Sequence, residues 1–252
     1  MNQNYRAPMK LLNDQIRVLL IGAGGTGSHL NRELIQLDTC LRQLNHKGLH
    51  VTIADGGVVT NANLSRQHFL PTQTGMNKAE AQVFIANNLY GRNFTAIPRQ
   101  INPEDIGYKD FDILITAVDK PSVRFGIHQH RPTTGNVLWL DTGNDHTSGN
   151  IVLGHWCRTP QIPSICDLYD YSLLSDGDSE IKSCSSAESI GRQTLGVNAT
   201  SARLAAQLLW NLVRNGEIDV HGAHFDTTTL ESFPIHCSTK TWGMYGWSKT
   251  AA

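Results

Sequence analysis

Residues 16–28 read IRVLLIGAGGTGS, an apolar strand signal that passes into a glycine-rich turn and then into a helix beginning near Gly25. Gly22, Gly24 and Gly27 occupy the G-x-G-x-x-G positions. There the missing side chains permit a tight turn, close approach of backbone to a phosphate, and close packing of the helix on the strand. The first helical amides then face the anion. By itself the stretch specifies a nucleotide site without specifying a reaction, because NAD and FAD enzymes, methyltransferases and ATP-dependent adenylating enzymes all use such a loop.

Downstream of the loop, Leu30, Leu34 and Leu37 recur at helical spacing, which predicts a helix to about Leu37 and a loop over 38–49. Residues 50–55, HVTIAD, predict a second strand ending in Asp55, where a Rossmann-like sheet presents its carboxyl edge to ligand and an acid can hold a ribose hydroxyl. Residues 56–75 are polar and turn-rich, and a loop of that length in a compact domain is usually functional. A helix follows over 77–87, then strands over 94–97 and 112–118, the second running into Asp119. A helix over 122–130 and strands over 137–141 and 151–156 complete an alternation that implies a largely parallel sheet. Residues 157–193, rich in serine and proline, predict a mobile crossover segment. Leu204, Leu208 and Leu212 share one face of a buried helix over 197–213, and short strands near 218–225 and 227–232 finish the sheet. The tail from Trp242 is expected to be poorly ordered. The expected fold is α/β, a single domain over 1–252. It has a Rossmann-like, mostly parallel sheet with helices on both faces, C-terminal antiparallel strands, and the nucleotide-binding half at 16–131.

Composition narrows the partners. With 252 residues, 40% hydrophobic content and a formal net charge of -1, the chain can bury a large core and has no basic excess to draw it onto nucleic acid or an anionic membrane. No apolar run approaches the ~18 residues of a membrane span, and the first residues lack a secretory core, so a cytoplasmic location is expected. Five cysteines, Cys40, Cys157, Cys166, Cys184 and Cys237, are too few and too scattered for a disulfide framework.

Further motifs follow the glycine loop in register. Asp55 is followed by N-L-S-R-Q, with Asn63, Arg66 and Gln67, then by Lys78 within G-M-N-K-A, then by Asp119-Lys120 with Arg124 four residues on. In order, residue type and spacing over about residues 16–131, and more weakly through Cys184 and the helix after Gly196, the chain resembles the ThiF/MoeB family of adenylating enzymes, relatives of ubiquitin-activating enzymes. Within that family it most resembles the ThiF-like proteins of plasmid ParB-related/ThiF-related (PRTRC) cassettes. The resemblance implies ATP-dependent adenylation of the C-terminal carboxylate of a small ubiquitin-like or sulfur-carrier-like protein ending in glycine. It also implies ATP and Mg²⁺ as cofactors and a homodimer.

Roles for individual residues come with the resemblance. Gly22, Gly24, Gly25 and Gly27 would cradle phosphate, Asp55 would hold the ribose, and Asn63 and Arg66 would contact phosphates. Lys78 would neutralise the phosphate chain, Asp119 would bind Mg²⁺, and Arg124 would belong to the nucleotide-binding set. Cys184, in IKSCSSAES beside Lys182, matches the crossover-loop cysteine that in some relatives takes the acyl group as a thioester. Each residue also has an ordinary reading. Asp55 could be a turn residue, Asp119 a helix cap, Arg66 and Lys78 solvated charges, and Cys184 an exposed loop cysteine.

The sequence departs from the family pattern at four points. Asp55-Gly56-Gly57 replaces the usual D-x-D, and Asp119-Lys120 replaces an Asp-Asn pair. Asn4-Tyr5-Arg6 stands in for the R-Y-x-R-Q segment whose arginine reaches a partner subunit. Paired C-x-x-C motifs are missing, and although His155, Cys157, Cys166, His236 and Cys237 could meet in space, zinc is not predicted. Two other readings stay open. One is an NAD(P)- or FAD-dependent oxidoreductase, for which Asp55 lies 28 residues beyond Gly27 rather than the usual ~20. The other is a non-catalytic nucleotide-binding scaffold.

Overall fold

The computed structural model describes residues 4–176 and 193–248. In chain order the strands are β1 (Tyr5–Arg6), β2 (Ile16–Ile21), β3 (Leu49–Ala54), β4 (Thr95–Ile97), β5 (Ile113–Thr116), β6 (Leu138–Asn144), β7 (Ser148–His155), β8 (Glu217–Ile218), β9 (Val220–Asp226) and β10 (Glu231–His236). The helices are α1 (Met9–Asn13), α2 (Gly25–Gln43), α3 (Lys78–Phe84), α4 (Pro121–Gln129), α5 (Ile165–Leu168), α6 (Val197–Asn215) and α7 (Thr239–Met244). Eight strands form one sheet in the order β10-β9-β7-β6-β5-β2-β3-β4. Strands β6, β5, β2, β3 and β4 run parallel, whereas β7, β9 and β10 are added antiparallel.

The parallel strands are apolar on both faces because helices cover both faces. In β2 every residue but Arg17 is buried, and in β5 all four are; such continuous runs mark doubly covered strands. Helix α2 packs on α6, and α4 packs on α5. Among the described residues, no helix is long and apolar enough to cross a membrane.

Several boundaries differ from the sequence reading, each for a local reason. Helix α2 continues to Gln43 instead of stopping near Leu37. The apparent break is Asp38, an acid on the apolar face with no exposed surface. Its carboxylate accepts from Arg42 Nε at 2.9 Å, Arg92 Nη1 at 2.7 Å and the Leu49 amide at 2.6 Å, and the core face resumes at Leu41. The last strand starts at Glu231, not Thr227. Asp226 Oδ1 accepts from the Thr228 and Thr229 amides and folds these β-branched residues into an Asx turn. The first part of the crossover segment is packed rather than loose, with Cys157, Ile162, Ile165 and Leu168 in the core. Residues 177–192, and with them Cys184, lie outside the described residues.

The described part of the tail, residues 242–248, is packed rather than loose, held by Trp242 and Tyr245. Pairing of β9 with β10 slips between Ile235 and His236, so that Ile235 faces Gly222 while His236 faces Val220, leaving His221 as an extra residue. A bulge of this kind shifts the strand's alternation, and both His221 and His224 meet α7 and the turn after it. Trp242 Nε1 donates to His221 Nε2 at 2.9 Å, and the Tyr245 hydroxyl lies 3.0 Å from His224 Nε2. His221 Nδ1 is 2.8 Å from the Leu153 carbonyl, which fixes it as the donor and leaves Nε2 as acceptor for the indole.

Burial pushes the His221 imidazole down to about 4. The native state therefore refuses a proton that the unfolded chain takes up near its ordinary pKa of about 6.5. Stability from this group is complete above that value and falls as pH drops toward 4, by up to about 3 kcal/mol. Thermal unfolding followed from pH 7 to pH 4 should show this slope, and His221→Gln should flatten it. An unchanged slope in the variant would show that other groups carry the acid sensitivity.

Candidate active site

Strand order reverses between β2 and β5: the chain moves outward from β2 to β3 and β4 on one side and from β5 to β6 on the other. In open α/β sheets this reversal leaves a crevice beyond the strands' carboxyl ends. The glycine loop follows β2 directly into it, and Ala117, Val118 and Asp119 follow β5. Gly22 has φ +95°, and a Cβ there would stand 2.3 Å from the Ala117 carbonyl oxygen; a Cβ at Gly27 would meet the Gly22 carbonyl at 1.9 Å. No other residue type fits these positions without moving backbone. By contrast, nothing lies within 4 Å of a Cβ built at Gly24, so its bare backbone faces open space at the start of α2.

The crevice opens into a cavity of about 1050 Å³. Gly22, Gly24, Gly25, Asp55, Arg66, Lys78, Asp119, Lys120 and Arg124 all line it, so residues spread over a hundred positions of sequence meet in one place. Gly27 does not line it and instead seats the helix against the loop. Nor does Asn63, whose Oδ1 accepts from the Thr60 amide at 2.9 Å and holds the short 3-10 turn Asn61–Ser65 that carries Arg66. That turn is tied to the glycine motif through Ser28 Oγ, which accepts from the His68 amide at 2.8 Å.

Asp55 is a clamp. Oδ2 accepts from the Ala23 amide in the glycine loop at 2.7 Å, and Oδ1 from the Gly57 amide at 2.6 Å. Asn77 Nδ2 donates to the Asp55 and Gly57 carbonyls while its Oδ1 caps α3 by accepting from the Ala79 and Glu80 amides. Lys78, the first residue of α3, is thereby registered to the glycine loop through two polar side chains. A Cβ at Gly57 would sit 2.9 Å from Asp55 Oδ1 and 3.4–3.5 Å from the Lys78 stem. A second acid in place of Gly57, as in a D-x-D pair, would first crowd the Asp55 carboxylate, with the Lys78 stem at ordinary contact distance. Burial lowers the pKa of the Lys78 ammonium, against the opposing pull of Asp55 and Asp119.

Three residues that motif reading did not single out organise the cavity's other wall. Arg66 Nη1 donates to Gln193 Oε1 at 2.6 Å, Gln193 Nε2 donates to Asn144 Oδ1 at 3.0 Å, and Asn198 Nδ2 donates to Gln193 Oε1 at 3.1 Å. Asn144 also donates to Thr26 Oγ1 at 2.7 Å, which closes the ring on α2. Scattered amides carry no spacing signal, so only the fold brings them together. Arg124 is 5% exposed, with Nε 2.7 Å from Asp141 Oδ1, Nη2 3.3 Å from the Thr142 carbonyl and its guanidinium 5.6 Å from the Tyr171 ring centre. It shapes the cavity wall while its charge is taken by Asp141.

The other cysteines are held out of the site. Cys157 and Cys237 are buried, and burial pushes the Cys237 thiol up to about 12. Cys166 Sγ lies 3.6 Å from the Arg124 carbonyl, and its thiol is also pushed up by burial. Among the described residues, no group of three or more His, Cys, Asp or Glu side chains is placed to hold a metal ion.

A bare glycine turn before a helix N-terminus, set where the strand order reverses, defines a Rossmann-like α/β fold with a crevice at the strand carboxyl ends. The particular family follows from the whole chain. The ThiF family model matches residues 6–236, and the protein belongs to that family. Solved structures with the same fold include E. coli MccB with MccA (16% identity, TM-score 0.63, covering 97% of this chain and 67% of that one). E. coli MccB with ATP shares 17% identity at a TM-score of 0.61, covering 91% and 65%. PaaA shares 14% at 0.61, covering 90% and 65%. The chain thus spans about 65% of the length of the PaaA and MccB–ATP structures. No curated protein matches it.

Proposed function

We propose that the protein is an ATP-dependent adenylating enzyme that acts on the C-terminal carboxylate of a small ubiquitin-like protein ending in glycine. The observation that carries this reading is the meeting of Lys78, Arg66 and Asp119 with the glycine loop in one cavity. Joining a carboxylate to a nucleotide brings two anions together and expels a third, so the site must supply positive charge and fixed geometry. A substrate carboxylate oxygen forms the new bond to the α-phosphorus. The bond to the β-phosphate oxygen breaks, and its electron pair leaves with pyrophosphate.

In this reading the loop amides and the α2 N-terminus hold phosphate, Lys78 neutralises the phosphate chain, and the Arg66 guanidinium binds phosphate oxygens through two donors. Asp119 would hold Mg²⁺, which would supply positive charge toward the phosphates; a single protein carboxylate suits that ion where phosphates supply further oxygen ligands. Asp55 keeps the loop in shape and stands where the ribose would lie. The finer likeness to ThiF-like proteins of ParB-related cassettes, a single domain, a homodimer, and acyl transfer to Cys184 belong to the same proposal. MccB crystallised with ATP and with MccA supports the reading by analogy of fold.

The test is exchange of labelled pyrophosphate into ATP by the purified protein with Mg²⁺ and each small β-grasp protein found in its genetic neighbourhood. Exchange that depends on the partner's free carboxyl terminus is expected. Tight ATP binding without exchange would instead identify a nucleotide-gated scaffold.

A further inference from the structure

Helix α3 reads KAEAQVF and buries Ala79, Ala81 and Gln82. A glutamine only 1% exposed needs hydrogen-bond partners for both ends of its amide, and Gln82 has them. Its Oε1 accepts from Asn31 Nδ2 on α2 at 2.8 Å, and its Nε2 donates to the His68 carbonyl at 2.8 Å. Asn31 Nδ2 also donates to the Gln82 carbonyl at 3.0 Å. On the other side of the same residue, the His68 amide donates to Ser28 Oγ at 2.8 Å, and that hydroxyl donates to the Gly25 carbonyl at 2.9 Å. His29 stacks on the His68 ring at 5.7 Å between centres. The backbone of His68 is thus gripped from α2 through Ser28 and from α3 through Gln82.

These bonds close a triangle. Its corners are the glycine loop with the start of α2, the turn that carries Arg66 just before His68, and Lys78, which stands one helical turn, about 6 Å, before Gln82. The Asp55–Asn77 clamp ties the loop to Lys78, and Ser28 ties α2 to the Arg66 turn. Two sides alone leave the angle between them free. The third side, from the Arg66 turn to α3, is the Gln82–His68 bond. Gln73 Nε2 also reaches α3, at the Ala81 carbonyl, but from seven residues beyond Arg66. Stability alone does not call for the bridge: Asn31 Oδ1 is buried with no hydrogen-bond partner among the described residues, a cost that an apolar pair at positions 31 and 82 would avoid.

We propose that Gln82 is a positioning residue: it sets the separation of Arg66 and Lys78, and with it the fit of a chain of phosphates. A single phosphate can be held at one corner of the triangle. A triphosphate must meet the loop amides, Arg66 and Lys78 together, so it senses the distance between corners, and small displacements of fixed charges and donors cost it directly. Gln82 does not line the cavity and acts only through the two cations it holds in place. The inference rests on the proposed function only in taking a nucleoside triphosphate as the guest.

The probes are AMP and a non-hydrolysable ATP analogue, whose affinities are measured by calorimetry with Mg²⁺ present. The wild-type chain should bind the analogue more tightly than AMP. Gln82→Met keeps the length of the side chain but has no N–H to give, and it should lower that ratio roughly tenfold, the worth of one net hydrogen bond, chiefly through the analogue. A merely structural role would lower the melting temperature and leave the ratio alone. Asn31→Leu/Gln82→Leu, which removes the orphaned oxygen together with the bridge, should melt near the wild-type temperature and show the same lowered ratio. Equal wild-type affinities, or a ratio that either variant keeps, overturns the inference. A Gln82-dependent ratio in a chain that exchanges no pyrophosphate with any partner would leave the positioning role standing and sink the adenylation reading.

Discussion

A Lys78→Ala chain is expected to lose ~10²-fold or more of its adenylation rate, measured as partner-dependent pyrophosphate exchange, while keeping its fold. The lysine is half-buried at the first turn of α3, facing the cavity with Asp55 and Asp119 as its neighbouring acids. Its ammonium is the cation that the Asp55–Asn77 clamp holds in register with the glycine loop. Alanine removes the charge but leaves the clamp, because Asn77 makes the capping bonds and the helix keeps its start. The loss should therefore appear in kcat more than in the melting temperature. Asp119→Ala should remove the dependence of turnover on Mg²⁺ concentration together with most of the turnover. If Lys78→Ala exchanges pyrophosphate at the normal rate, positive charge at this position is not what drives the chemistry.

Arg124→Leu should act through stability. Asp141 has no exposed surface, and its Oδ2 has no hydrogen-bond partner among the described residues. Its Oδ1 is held by the Thr116 hydroxyl and Arg124 Nε. Removing the guanidinium strands a buried carboxylate, which typically costs ~3–5 kcal/mol. In a chain of this length that is roughly a 10 °C fall in melting temperature. Changing both partners, Arg124→Leu with Asp141→Leu, should recover much of the loss, since a buried pair replaced by apolar groups is often nearly neutral. If the single variant melts normally and only ATP binding suffers, the arginine serves the nucleotide rather than the wall.

The parts of the molecule that sequence disclosed are those whose physics is local. The glycine spacing, the apolar run of β2 and the Leu204–Leu208–Leu212 face of α6 each carry their signal within one element, and all three stand where expected. Gly22 and Gly27 are legible because no other residue fits there, whereas Gly24 faces open space that the fold itself does not require to be clear. Hidden features depend on distant partners. Asp38 reads as a helix breaker until Arg92 arrives from fifty-four positions away to neutralise it. Gln193, Asn144 and Asn198 resemble ordinary polar residues until the sheet edge gathers them around Arg66. The threonine run at 227–229 favours a strand by composition, yet one aspartate turns it.

The extra residue in β9 has a consequence for descent. His221 and Trp242, and His224 and Tyr245, are both separated by twenty-one positions, and each pair depends on the same one-residue slip. A relative that lost the slip would present one of its histidines to the wrong side of the sheet, and its terminal aromatic helix would have nowhere to dock. Insertion, histidines and aromatic tail should therefore be inherited or lost as one character, so that lineages keeping the tail but not the insertion would be rare.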